Sequence, residues 1–458
     1  MTTDTALEQQ LGEQIAAAME KYAVPGVALG LVHGDDEHMA GFGVTNIEQP
    51  LPVDADTLFQ IGSTTKTVTG TLAMRLVEEG TLDLDAPIRT YLPDLRLRDA
   101  DVAARVTMRH LLTHTGGWVG DYFGDTGRGE DAVARMVDSM AEVAQLTPLG
   151  EVWSYNNAGF YLAGRVLEVL TGRPYETLAQ DWVFDPLDMD RSFFFAEDMI
   201  TYRVAAGHEE PPGDGATRPT VARPWGLPRA IAPAGGIVST VRDQLRYARF
   251  HLGDGTAPGG ARLLTPASLA LMQTAQVAAD RDRQMGLTWF LRDVEGTRIV
   301  AHGGSTNGQQ SAFLLIPSRR FALTILTNSS RGGDLNGDVT RWVLEQYLGL
   351  HDRDPESLAA TADELAPYTG HYSAAASEID LTVQGTDLML QLTPKGGFPT
   401  PDTPAEPAPP PVRAALCGTD AILVLDEPLK GLRGEFLREP DGQIAWLRAG
   451  GRVMRREH

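Results

Sequence analysis

Residues 59–66 read FQIGSTTK, with Ser63 and Lys66 three positions apart at the predicted start of a helix. Side chains at that spacing project from nearly one face of a helix, so a hydroxyl and an amine can touch. Serine is a weak nucleophile that needs a neighbouring base, and a lysine can serve when burial keeps it uncharged. A capping serine with a solvated lysine is the common alternative for so short a motif. The stretch therefore predicts a serine nucleophile only in combination with further motifs.

Three further stretches supply that combination. Residues 107–117 read TMRHLLTHTGG, residues 155–157 read YNN, and residues 302–304 read HGG. With residues 59–66, their order and spacing resemble the serine β-lactamase and penicillin-binding-protein superfamily over roughly residues 10–350. The similarity is strongest to the group that holds class C β-lactamases, D-stereospecific peptidases and amidases, and β-lactamase-like esterases. The resemblance implies an α/β fold, in which a helical region flanks an antiparallel sheet, and it implies a serine hydrolase.

The resemblance also implies roles for individual residues. Ser63 is the expected acylated nucleophile, Lys66 is its proton acceptor, and Tyr155 relays protons to the leaving group. Asn157 is expected to bind substrate and to hold Lys66. The backbone amides of Ser63 and Ser305 are expected to form the oxyanion hole. We further expect the nearby lysine ammonium to lower the pKa of Tyr155.

The substrate-binding strand departs from the family pattern. His302, Gly303 and Gly304 stand where β-lactamases and transpeptidases commonly carry Lys-Thr-Gly. A histidine is mostly neutral at pH 7, so anionic substrates should bind more weakly and efficient β-lactamase activity is not expected. The two glycines would let a substrate backbone lie against the strand. Trp118, Tyr122 and Phe123 follow a Gly-Gly pair and are expected on a loop over the site, where an acyl pocket needs apolar walls. Trp118 and Tyr122 are the expected substrate-binding residues, and a plain surface loop stays open as the alternative.

The hydrophobic pattern divides the chain into two parts. Residues 1–350 begin and end with strand-like segments and carry helices between them, which indicates an α/β domain whose sheet is built from both termini. Residues 351–366 form a polar linker. Residues 367–458 hold short strand-like runs typical of a small all-β domain, which looks like the lipocalin-like barrel of some relatives. The seven prolines within residues 399–411 favour an extended surface loop.

Composition excludes several kinds of partner and site. The 458 residues carry a formal charge of −22, which disfavours nucleic acid and anionic membranes. A single cysteine, Cys417, allows no internal disulfide and no Cys-rich metal site, and no metal or cofactor is expected. No apolar run is long enough for a membrane span, and residues 1–11 show no secretory signal, so a cytoplasmic location is expected. A homo-oligomer is possible.

The sequence therefore predicts a serine hydrolase that acts through a Ser63 acyl-enzyme on small esters, amides or peptides. An acyltransferase that uses the same acyl-enzyme stays open, because no residue decides whether water, an amine or an alcohol takes the acyl group. A non-catalytic penicillin-binding-like sensor or binding module also stays open. The joint presence of the serine, lysine, tyrosine and asparagine argues against this last alternative, since the loss of any one would inactivate the site.

Overall fold

A computed structural model describes residues 4–210 and 218–457, so residues 1–3, 211–217 and 458 of the predicted domains lie outside the described residues. In chain order the α-helices are α1 Asp4–Tyr22, α2 Thr65–Glu78, α3 Ala100–Arg105, α4 Met108–Leu112, α5 Ala132–Ser139, α6 Ala158–Thr171, α7 Tyr175–Ala179, α8 Ala196–Met199, α9 Ala232–Gly235, α10 Val241–Leu252, α11 Pro266–Met272, α12 Gly332–Leu348 and α13 Ala362–Leu365. All except α13 lie in the part of the chain where the sequence predicts the α/β domain.

The same part of the chain holds the strands β1 Gly26–His33, β2 Asp36–Gly43, β3 Phe59–Gln60, β4 His208–Glu209, β5 Thr220–Val221, β6 Val238–Ser239, β7 Val277–Ala278, β8 Gln284–Met285, β9 Phe290–Val294, β10 Thr297–Thr306, β11 Gln309–Ile316 and β12 Phe321–Thr327. Eight of them form one antiparallel sheet in the order β2-β1-β12-β11-β10-β9-β8-β7. Strands from the two ends of this segment meet where β1 pairs β12, with Val27 opposite Thr327 and His33 opposite Phe321. The predicted α/β fold, with a sheet built from both ends, is confirmed.

Helices cover the sheet on both faces. Leu11 and Ile15 of α1 pack with Val339 and Val343 of α12 in one buried apolar cluster that also includes β1 and β12 side chains. A larger cluster contains the buried faces of α2, α6 and α10 together with other residues of the sheet. Because α2 is buried within this larger core, the side chains of its first turn are shielded from water.

The second part of the chain is a closed antiparallel barrel. Its strands are β13 Gly370–Ser373, β14 Ser377–Gln384, β15 Asp387–Pro394, β16 Val412–Gly418, β17 Ala421–Val424, β18 Arg433–Arg438, β19 Ile444–Ala449 and β20 Arg452–Glu457. This confirms the predicted small all-β domain. Residues 395–411 contain no helix or strand, as their proline content predicts. The domain limits 1–350, 351–366 and 367–458 stay a prediction.

Two features of the described residues bear on location and cofactors. None of the described helices combines the length and the apolar composition that a bilayer crossing needs. Across residues 4–210 and 218–457, no three His, Cys, Asp or Glu side chains are grouped as metal ligands. Independence from a metal or cofactor stays a prediction.

Candidate active site

Ser63 lies in a single 3-10 turn that leads directly into α2. Ser311 of β11 fixes this turn to the sheet, because its hydroxyl donates to the Ile61 carbonyl at 2.8 Å. Gly62 has φ +50°, and a Cβ there would lie 2.8 Å from the Ser305 backbone nitrogen. Glycine is therefore needed before the serine, since a side chain would push β10 away from the turn.

The Lys66 side chain is completely buried in the first turn of α2, and its amine contacts three oxygen atoms. Nζ lies 2.9 Å from Ser63 Oγ, 2.7 Å from Asn157 Oδ1 and 2.6 Å from the Ala234 carbonyl oxygen. The amide and carbonyl oxygens can only accept, so each takes one N–H of the amine. Because an uncharged amine has two N–H groups, its lone pair is left for the Ser63 hydroxyl.

The surroundings of Lys66 favour the uncharged amine. Burial lowers the pKa of Lys66 well below its ordinary value, because an ammonium is costly away from water. The Arg452 guanidinium lowers this pKa further, whereas the Asp121 carboxylate raises it. The amine is thus available as a proton acceptor at a pH where a surface lysine is fully charged.

Tyr155 is buried beside this pair, and its hydroxyl hydrogen-bonds the Ser63 side chain. The His114 ring stacks on the Tyr155 ring with centroids 4.3 Å apart. Burial raises the pKa of Tyr155 and outweighs the Ser63 hydrogen bond and the Arg452 charge, which lower it. The prediction of a lowered tyrosine pKa is therefore wrong, because the same burial that uncharges Lys66 also disfavours a phenolate.

Strand β10 carries the predicted oxyanion and substrate residues past the start of α2. A Cβ on Gly304 would lie 1.9 Å from the Ile61 carbonyl oxygen and 2.7 Å from the Ser63 backbone nitrogen. Gly303 and Ser305 are exposed and line the cavity in front of Ser63. The backbones of Ser63 and Ser305 are thus packed side by side, as an oxyanion hole formed by their amides requires, and that role stays a prediction.

His302 begins the exposed stretch of β10 but is itself buried. Its Nδ1 donates to the Gly303 carbonyl at 2.6 Å. Its Nε2 has no hydrogen-bond partner within the described part of the chain. Burial lowers the pKa of His302 to about 3. The ring is therefore neutral at pH 7, as the sequence predicts.

The turn between β19 and β20 of the barrel reaches into this site. The Gly451 carbonyl accepts from the backbone N–H of Tyr155 at 2.8 Å. Arg448 Nε donates to the Trp153 carbonyl at 3.2 Å. A Cβ on Gly451, where φ is +80°, would lie 3.3 Å from the Trp153 ring. The barrel therefore supports the segment that holds Tyr155.

Arg452, the first residue of β20, completes a charged network behind the tyrosine. Its Nε and Nη2 donate to the two carboxylate oxygens of Asp121 at 3.0 and 3.1 Å, and its guanidinium lies 4.8 Å from the centroid of the Tyr155 ring. Asp121 Oδ1 also accepts from Asn157 Nδ2 at 3.0 Å. Asn157 in turn holds Lys66, so the network runs from the barrel to the amine. Sequence reasoning missed Asp121 and Arg452, because they are 331 positions apart and no motif links them.

A cavity of about 1100 Å³ opens in front of Ser63 and extends to the barrel. Among the predicted site residues it is lined by Ser63, Tyr155, Asn157, His302, Gly303, Gly304 and Ser305, while Lys66 lies beneath Ser63. Asp121, Phe123, Ala234 and Arg452 also line it. The structure therefore brings together the predicted groups from α2, α6 and β10.

Trp118 and Tyr122 are not brought to this cavity. Trp118 is buried in the large apolar core, where its ring lies over Gly116. Tyr122 packs against the same core and donates its hydroxyl to the Ser139 carbonyl at 3.3 Å. Of the three aromatic residues expected on this loop, only Phe123 lines the cavity.

Comparisons with known proteins agree with the architecture. The family model described as Beta-lactamase matches residues 11–348. Penicillin-binding protein 4 of Amycolatopsis lactamdurans is 37% identical over 371 residues, which cover 79% of this chain and 96% of that protein.

Solved structures of two proteins extend the likeness to both parts of the chain. The crystal structure of SurE aligns over 99% of this chain and 100% of its own, with 25% identity and a TM-score of 0.76. SurE with D-Leu gives a TM-score of 0.72. The octameric penicillin-binding protein homologue from Pyrococcus abyssi aligns over 98% and 99% of the two chains, with 22% identity and a TM-score of 0.63. The last likeness shows the fold, barrel included.

Proposed function

Because this chain belongs to the Beta-lactamase family of serine hydrolases, we propose that it acts through an acyl-enzyme formed on Ser63. The observation that carries the proposal is the buried Lys66 amine, which contacts Ser63 Oγ at 2.9 Å while two carbonyl-type oxygens take its N–H groups. Within residues 4–210 and 218–457, Lys66 contacts no group of opposite charge directly. Its arrangement is that of a base beside a nucleophile.

Acylation follows from the positions of three side chains. Ser63 Oγ bonds to the carbonyl carbon of the substrate, and its proton passes to the lone pair of Lys66. The backbone amides of Ser63 and Ser305 stabilise the oxyanion, each donor being typically worth about 3–4 kcal/mol. The bond to the leaving group then breaks, and the Tyr155 hydroxyl gives the leaving group its proton.

Deacylation uses the same groups in reverse. The proton taken by Lys66 returns Tyr155 to its hydroxyl form. A water molecule then attacks the acyl carbonyl while the Lys66 amine accepts one of its protons, and the bond to Ser63 Oγ breaks as that proton passes from Lys66 to the serine. The raised pKa of Tyr155 suits a group that rests as a hydroxyl and is a phenolate only briefly.

Small esters, amides or peptides are the proposed substrates. The neutral His302 offers no cation for a penicillin-like carboxylate, so β-lactams are expected to be poor substrates. The likeness to SurE, which has been solved with D-Leu, supports a D-configured amino acid on the substrate.

Labelling with a fluorophosphonate probe tests the acyl-enzyme directly. We expect the wild-type protein to carry the probe on Ser63, shown by intact mass and peptide mapping, and to hydrolyse p-nitrophenyl butyrate. Ser63→Ala should lose both the label and the turnover. Equal activity in the two proteins, with no label on either, would instead favour the non-catalytic binding module.

Replacing His302 by lysine should increase the reaction with β-lactams. A permanent cation on β10 can form a charge-assisted hydrogen bond with the carboxylate of benzylpenicillin, worth about 1.5–3 kcal/mol. We expect His302→Lys to raise the second-order rate of acylation by benzylpenicillin roughly tenfold or more, measured by mass spectrometry. His302→Gln is the uncharged control and should not increase the rate. An equal increase in both variants would show that the missing charge is not what excludes β-lactams.

Acyl transfer is the second candidate, and the size of the cavity favours it. The space of about 1100 Å³ continues past Ser63 to the barrel, so an acyl group and an acceptor can be present together. Adding a D-amino acid amide to an ester assay decides between the two outcomes, because transfer yields a new amide and hydrolysis yields only the acid. A homo-oligomer and a cytoplasmic location stay predictions.

A further inference from the structure

The barrel presents one of its two ends to the cavity that begins at Ser63. In the antiparallel order of β13 to β20, four turns lie at this end, and each contributes a cavity-lining residue. These are Ala376 between β13 and β14, Phe398 between β15 and β16, Leu429 between β17 and β18, and Gly451 between β19 and β20. The cavity therefore reaches the open end of the barrel.

The inside of the barrel forms part of the cavity wall. Ile379, Ile422 and Met454 belong to the buried core of the barrel and also line the cavity. Leu392 and Leu432 pack against that core, line the cavity and are only half-buried. Half-buried leucines that face a cavity leave apolar surface in water, which favours an apolar occupant.

The interior of the barrel leaves no room for an apolar group to enter beyond the open end. Tyr372, Phe436 and Leu447 are nearly or completely buried and fill the interior. At the front, the ring of Phe398 packs on that of Phe123 with centroids 4.9 Å apart, so an apolar wall joins the barrel to the catalytic part. The geometry is that of a shallow apolar mouth beside the nucleophile.

Charged groups around the mouth are engaged with one another. Arg433 donates to Asp282 at 2.9 Å and to Asp354 at 3.1 Å. Arg448 donates to Glu435 at 2.7 Å. These two guanidiniums are therefore already paired with carboxylates, and the isoleucine, leucine and methionine side chains of the mouth offer a ligand apolar contact.

We propose that this barrel mouth binds a hydrocarbon group of the substrate whose carbonyl carbon is attacked by Ser63. The barrel mouth consists of Ile379, Leu392, Ile422, Leu429, Leu432 and Met454. The proposal rests on the proposed function and assigns to the barrel a direct part in substrate selection. The hydrocarbon belongs either to the acyl group or to the leaving group.

Two ester series test the proposal and separate these sources. p-Nitrophenyl acetate, butyrate, hexanoate and octanoate lengthen the acyl side, whereas ethyl, butyl and hexyl acetates lengthen the leaving side. We expect kcat/KM to rise in one series, by about fourfold for each methylene that becomes buried. Leu429→Ser/Leu432→Ser should remove this rise and leave p-nitrophenyl acetate hydrolysis unchanged.

Val383→Ser is the matched control, because Val383 packs against the same barrel core near the β14–β15 turn, at the opposite end. It should keep the dependence on chain length. If the double variant hydrolyses acetate normally and keeps the rise, or if wild type shows no rise in either series, the proposal is overturned.

A binding measurement keeps the proposal testable if the protein proves not to turn over esters. The probe is 11-(dansylamino)undecanoic acid, followed by fluorescence on Ser63→Ala protein. We expect its Kd to increase at least tenfold when Leu429→Ser/Leu432→Ser is added. An unchanged Kd, or no binding to the Ser63→Ala protein, would overturn the proposal that the barrel mouth binds hydrocarbon. Absence of fluorophosphonate label on the wild-type protein would overturn only the proposed acyl-enzyme.

Discussion

Lys66→Met should lower the rate of Ser63 acylation by about 10³-fold while the serine and the oxyanion donors stay in place. Methionine fills a similar volume but cannot accept a proton, so Ser63 keeps its hydroxyl and remains a weak nucleophile. The rate of labelling by a fluorophosphonate probe measures this directly. A p-nitrophenyl butyrate assay should show the same loss in kcat/KM.

The fold should survive this substitution. It removes a buried amine, whose desolvation is unfavourable, but it also leaves Asn157 Oδ1 and the Ala234 carbonyl without a donor, at roughly 1–3 kcal/mol each. These effects oppose each other, and we expect the thermal midpoint to change little. Lys430→Met, at an exposed position, is the control and should acylate normally. Normal acylation of Lys66→Met would remove Lys66 as the base.

The sequence predicts the nucleophile and its base correctly as neighbours, because their spacing on a helix is local. Ser63 and Lys66 meet through a single turn of backbone with two residues between them, so local chain geometry fixes their relation. Local spacing does not place Tyr155 and Asn157, which are predicted only through the family resemblance, because they approach Lys66 from the segment that leads into α6. Their roles in catalysis remain predictions.

Elements defined by long-range pairing are predicted less well. The apolar pattern of residues 298–302 predicts a strand that ends at His302. In the structure β10 continues to Thr306, because pairing with β11 holds Gly303 and Gly304 extended although glycine has no strand preference of its own. Helix α12 begins at Gly332, although its sequence pattern is recognisable only from residue 340. Tertiary contacts decide both boundaries.

Side-chain direction in loops is the least predictable feature. Trp118, Tyr122 and Phe123 are all aromatic residues after the same Gly-Gly pair, and only Phe123 lines the cavity. The contact between Asp121 and Arg452 depends on how the barrel docks on the catalytic part, which no local pattern encodes. The contribution of the barrel to the active site can therefore be found only from the three-dimensional structure.

Arg452→Met should lower kcat/KM at pH 7 by about 10- to 100-fold and move the acid side of the pH profile upward. Arg452 lowers the pKa of Lys66 and Asp121 raises it. Removing the arginine leaves the carboxylate, whose side chain is only 7% exposed, with its negative charge uncompensated near the amine. Each unit by which the pKa of Lys66 rises reduces the uncharged fraction about tenfold at a pH below that value.

Removing the charge of Asp121 should shift the pKa of Lys66 in the opposite direction. Asp121→Asn keeps an oxygen for Asn157 but loses the charge that raises the pKa of Lys66, so the acid side of the profile should move downward. In Asp121→Asn/Arg452→Met both charges are absent, and the acid side should return close to its wild-type position. Arg455→Met, an exposed arginine on the same strand, controls for the loss of a positive charge as such.

This pattern separates an electrostatic role from a merely structural one. If Arg452 only held the barrel against the catalytic part, its loss would change KM or the thermal midpoint. The double variant would then have a lower kcat/KM than either single variant. If it sets the charge state of Lys66, the pH at half-maximal kcat/KM rises in Arg452→Met, falls in Asp121→Asn and is restored in the double variant. Shifts in the same direction for both single variants would contradict the charge assignment. Restoration would mean that a residue 386 positions from the lysine controls its proton through one buried carboxylate.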